Sequence, residues 1–113
     1  MKKLILVGGT MGVGKSSVCR ALHQRLMPSV WLDGDWCWNL NPFEVTEETK
    51  AMAMDNIAHL LGSFLRCSQT EYVIFSWVMH QQEIIDELLS RLTGTAFTLY
   101  SCLLYTSAAA YDM

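Results

Sequence analysis

The sequence predicts an α/β fold of three layers, a parallel sheet with helices on both faces. Three observations lead there. Short apolar runs of strand length alternate with segments of helical period along the chain. Residues 72–78 form a continuous run rich in β-branched and aromatic side chains, the composition of a strand covered on both faces. The first apolar run leads through Gly9, Thr10, Met11, Gly12, Val13, Gly14, Lys15 and Ser16, a full match to the phosphate-binding pattern GxxxxGK[ST], into a helical segment. Strands alternating with helices imply parallel pairing through right-handed crossovers.

The elements follow in order. Lys3 to Gly8 reads as a short buried strand. Glycines let the next loop wrap a phosphate chain, because a Cβ would block close backbone approach. Its amides would form an anion nest at the positive end of the following helix, with Ser17 in its first turn. That helix runs from Ser16 to Leu26, with Val18, Cys19, Leu22 and Leu26 on one face, and Pro28 follows its end. Val30, Trp31 and Leu32 make a second strand, closed by Asp33, Gly34 and Asp35. Residues 36–43 have no clean period and read as a loop or short irregular turn. Thr46 is the expected N-cap of a long amphipathic helix to about Arg66, with Thr49 where a capping box would want Glu or Gln. Residues 80–92 form a surface helix, and residues 95–104 a fourth strand. The third strand is expected beside the first, as the central pair. Residues 105–113 fit no element and are expected to be non-native or disordered. They resemble translated adapter sequence, in which case the natural chain continues differently after about Ser101.

Composition narrows the function. The chain has 113 residues, enough for one domain, and 51% of them are hydrophobic. A net charge of −3 with no basic run argues against a nucleic-acid-binding surface. Cys19, Cys37, Cys67 and Cys102 show no metal or redox spacing and are expected as reduced thiols. No stretch approaches the roughly 18 apolar residues of a membrane span. With no leader visible, a cytoplasmic location is expected.

With these residues in place, the chain resembles the small-molecule and nucleotide kinases of the P-loop class, which include gluconate, adenylylsulfate, chloramphenicol and polynucleotide kinases. The resemblance covers roughly residues 2–104, the front part of such a domain, with the lid and later strands missing. It implies ATP and Mg²⁺ as cofactors and a small-molecule or nucleotide acceptor. Residues Gly9 to Ser17 would bind the phosphates, Lys15 would stabilise transferring charge, and the Ser16 hydroxyl would ligate Mg²⁺. In several of these kinases an aspartate at the tip of the second strand activates the acceptor hydroxyl. Asp35 stands there, and Asp33 would hold Mg²⁺ through water. The alternative for Asp33-Gly34-Asp35 is a plain turn, since these residues favour turns. Trp36, Trp38 and Phe43 would stack on the acceptor or lock the loop to a helix. Met52 and Met54 would pack in the core or line a pocket, and His80 would touch the acceptor or simply start a helix.

The departures from the kinase pattern are specific. Ser76 and Trp77 occupy the place of an acidic metal ligand at the end of the third strand. Trp38 stands where polynucleotide kinases carry an arginine. No Arg or Lys follows Arg91 to serve as a lid cation. A nucleotide-binding switch or assembly module without kinase activity, or an inactive kinase fragment, is therefore the competing reading.

Overall fold

The computed structural model describes residues 1–9, 14–79 and 81–104. Its elements are β1 (Lys2–Gly9), α1 (Lys15–Arg25), β2 (Ser29–Asp33), a 3₁₀ turn (Gly34–Trp38), α2 (Glu47–Arg66), β3 (Tyr72–Trp77), α3 (Gln82–Ser90) and β4 (Phe97–Leu104). The four strands form one parallel sheet in the order β2-β3-β1-β4. β3 lies beside β1, as the sequence predicts.

The side-chain period of two along each strand sorts the core into two layers. Leu4, Leu6, Val73, Phe75 and Leu32 point to one face, against Ile57 and Leu61 of α2 and Ile85 and Leu88 of α3. Ile5, Val7, Trp31 and Ile74 point to the other, against Val18, Cys19 and Leu22 of α1. Helices therefore cover both faces. β3 is buried on both sides, which explains its unbroken apolar run. β4 is one of the two edge strands, and Tyr100, opposite Ile5 in register, remains 51% exposed.

Local chemistry explains the helix limits. α2 opens with a reciprocal cap: Thr49 N donates to Thr46 Oγ1 at 3.0 Å, and Thr46 N donates to Thr49 Oγ1 at 2.8 Å. Threonine thus closes the box where Glu or Gln was the expected residue, and its hydroxyl also donates to Glu44 O at 2.9 Å. α3 begins at Gln82, later than the expected residue 80; His80 lies outside the described residues. The irregular stretch after β2 contains a defined 3₁₀ turn, and Asn56 of α2 fastens it by donating to Cys37 O at 2.9 Å. The expected tail, residues 105–113, also lies outside the described residues.

Candidate nucleotide and acceptor site

In a parallel α/β sheet, ligands bind beyond the C-terminal ends of the strands. Here Asp33, Ser76 and Val7 stand in one register row across β2, β3 and β1. Adjacent strands are about 4.8 Å apart, so Asp33 and Val7 are separated by roughly 10 Å of backbone. The loop leaving β1 and the acidic turn leaving β2 therefore open on the same edge of the sheet.

On the β1 side, Gly14 caps α1 with φ 88°, a left-handed conformation. A Cβ there would meet nothing within 4 Å, so the backbone angle and not space calls for glycine. No side chain caps α1, and its first turn holds no acid. The first-turn amides of a helix have no intrahelical acceptor, so this terminus presents donors and partial positive charge to an anion. Lys15 reaches back to the end of β1, its Nζ donating to Gly9 O at 2.8 Å. Ser16 and Ser17 are exposed at the same terminus. Gly9, Gly14, Lys15, Ser16 and Ser17 are thus brought together; Thr10, Met11, Gly12 and Val13 lie outside the described residues.

On the β2 side, Asp33 Oδ1 accepts from Asp35 N at 2.9 Å and caps the 3₁₀ turn. One carboxylate oxygen of Asp33 is thereby engaged, while Asp35 is exposed on the wall of a cleft of about 860 Å³. Gly34 has no positive φ. A Cβ on it would sit 2.4 Å from Trp77 Cγ, so glycine is required by the indole lying against it. The Asp-Gly-Asp sequence is therefore both a capped turn and a seat for Trp77.

The cleft lies between the 3₁₀ turn, the N-terminal half of α2 and one side of α3 from Glu83 to Arg91 just past its end. Its apolar wall includes Trp38, Phe43, Met54 and Trp77. The Trp38 ring meets Phe43 at 5.1 Å and Trp77 at 5.9 Å, both edge to face. This geometry is the favoured one for aromatic pairs. The Trp38 indole N–H is buried without a hydrogen-bond partner among the described residues. Leaving such a donor unpaired costs about 1–3 kcal/mol. Trp36 is not part of this wall: it packs on Trp31 at 5.4 Å. Met54 serves both core and cleft, whereas Met52 does not line the cleft.

Sequence reasoning missed what Ser76 does. It is 2% exposed at the end of β3, and its hydroxyl accepts from Trp31 Nε1 at 3.1 Å. The Cys19 thiol is buried on the same face of the sheet. Burial pushes that thiol up, the Ser76 hydroxyl opposes this, and the Asp33 carboxylate and Lys15 ammonium act in opposite senses. Both charges therefore lie within electrostatic reach of the same buried sulfur. Ser76 and Trp31 share the outer face of two paired strands; that shared parity was the signal, and only the strand order could have exposed it.

The residues fit Mg²⁺-nucleotide in part. Among the described residues no three His, Cys, Asp or Glu side chains group around one point as metal ligands. A phosphate-bound Mg²⁺ needs few protein ligands, since it keeps waters and takes substrate oxygens. The Ser16 hydroxyl and the remaining oxygen of Asp33 are oxygens on this edge that could hold it.

A parallel sheet whose first strand leads through the GxxxxGK[ST] sequence into a helix, with the motif lysine bonded back to the strand end, defines a P-loop domain. Residues 5–109 match the family model described as AAA domain, and the chain belongs to that family. No curated protein matches it. Among solved structures, it is similar to a gluconokinase from Sinorhizobium meliloti 1021, with a TM-score of 0.69 and 23% identity over 96% of this chain and 60% of that one. It is similar to a chain of the Pnkp1/Rnl/Hen1 RNA repair complex, with a TM-score of 0.70 and 16% identity, covering 88% of this chain and 32% of that one. The APS kinase CysC of Mycobacterium tuberculosis gives a TM-score of 0.70 and 15% identity, covering 93% and 76%. The chain thus has the fold of P-loop kinases and spans 60% of the gluconokinase's length. No helix among the described residues is long and apolar enough to cross a membrane.

Proposed function

We propose that this chain binds ATP with Mg²⁺ and phosphorylates a hydroxyl of a small-molecule or nucleotide acceptor. The observation that carries this reading is the placement of two different chemistries on one sheet edge. A lysine-bearing phosphate loop leaves β1, and a carboxylate-bearing turn leaves β2 beside an aromatic cleft. The residues Gly9 to Ser17 would hold the phosphates, and Ser16, with Asp33 through water, would hold the metal.

Bound Mg²⁺-ATP supplies the transferable γ-phosphate. Lys15 offsets the negative charge that grows on the leaving oxygens as the bond to the β-phosphate breaks. Asp35 orients the acceptor hydroxyl and takes its proton as the new oxygen–phosphorus bond forms. The aromatic wall excludes water, which would otherwise compete as acceptor.

The second reading, a nucleotide-binding switch, draws on Ser76. Where the kinase pattern has an acid, this chain has a hydroxyl already bonded to Trp31. Acceptor-stimulated ADP release in a coupled assay separates the two. For the kinase, Asp35→Asn lowers stimulated release by about 100-fold or more and leaves ATP affinity within a factor of about two. Stimulated release that survives Asp35→Asn removes Asp35 from catalysis. ATP binding with no stimulation by any hydroxylic compound favours the switch.

A further inference from the structure

We propose that the described cleft prefers, as acceptor, a neutral or cationic hydroxyl compound with a flat apolar face over a phosphorylated, sulfated or carboxylated one. This deepens the kinase reading and rests on it.

The first argument is charge. The described wall of the cleft carries four carboxylates, Asp35, Glu47, Glu83 and Glu87, against two cations, Lys50 and Arg91. Both cations already face acids. Lys50 Nζ lies 3.1 Å from Glu47 Oε1. Arg91 bonds Glu87 at 2.8 Å and also pairs with Asp55. Each such exposed pair contributes little by itself. Their sum still matters to a ligand, because an anion entering the cleft meets a wall with excess negative charge and no cation that is not already matched by an acid. A cation or a neutral molecule meets no such opposition.

The second argument is shape and polarity. The floor is built from Trp38 with Trp77 and Phe43 each edge to face against it, which offers flat apolar area to a ring or a sugar face. A cation would gain further from the same rings. The acids are at the rim, and Asp35 stands where the reacting hydroxyl must come.

The test uses three probes of matched shape: 4-(2-hydroxyethyl)phenol, 4-(2-aminoethyl)phenol and 3-(4-hydroxyphenyl)propanoate. They are neutral, cationic and anionic at neutral pH. Each is titrated into the ¹⁵N-labelled chain, following the indole signals of Trp38 and Trp77. The neutral and cationic probes are expected to shift both indoles and to bind about tenfold or more tightly than the anion. Glu83→Lys, on the cleft rim, is expected to narrow that gap by strengthening the anion. Anion binding equal to or tighter than the neutral probe overturns the proposal, as does the binding of none of the three at about 10 mM. Mg²⁺-ATP affinity is measured on the same sample. Loss of ATP binding refutes the kinase reading whatever the probe order, and intact ATP binding with the wrong order refutes the acceptor class alone.

Discussion

Gly34 sits between two acids in a tripeptide that any turn could use, yet its backbone angle is open to other residues. What excludes them is Trp77, whose ring occupies the space of a Cβ. Gly34→Ala must push an indole that is itself held by Trp38 and Phe75. Overpacking of this kind costs about 1–3 kcal/mol. The urea midpoint of the Gly34→Ala chain is expected to fall accordingly, and an unchanged midpoint would show that the indole moves freely. The Asp-Gly-Asp pattern was legible as a turn or a site, but not as both. Its two acids differ in a way that no spacing reveals: Asp33 caps, and Asp35 faces the cleft. Trp36 and Trp38 were alike in sequence, and the 3₁₀ turn sends one to Trp31 and the other to the cleft.

At the scale of elements, most of the chain was readable because period and composition agree. The parity of β1, with Leu4 and Leu6 on one face and Ile5 and Val7 on the other, follows from alternation alone. The α2 start shows the limit of such reading. A side-chain oxygen three residues after the N-cap is what the box requires, and Thr49 supplies it with a shorter arm than Glu. Thr46→Ala removes the acceptor of the Thr49 amide and is expected to cost about 1 kcal/mol. A thermal melt checks this; an unchanged midpoint would mean that water satisfies the amide as well as Thr46 does. The cap also matters to the cleft, since Glu47 and Lys50 lie in the same first turn.

Across the whole molecule, the strand order turns distant stretches of sequence into one edge. Residue 9, residues 14–17 and residues 33–35 share it because β3 inserts between β1 and β2. The motif GxxxxGK[ST] announced the first half, and the apolar run of β3 announced its central place. The second half was legible only as a resemblance, because the cleft is assembled from the 3₁₀ turn, α2 and α3, and its charge balance depends on pairings such as Arg91 with Asp55. The central claim is that this edge binds a nucleotide through its phosphates. Isothermal titration of Mg²⁺-ATP into the chain and into Lys15→Ala tests it most directly, with circular dichroism to show that both are folded. Saturable binding to the unaltered chain is expected, weakened about tenfold or more by the substitution, a loss of about 1.4 kcal/mol or more. No binding to the unaltered chain, or equal affinity in the folded Lys15→Ala chain, would contradict it.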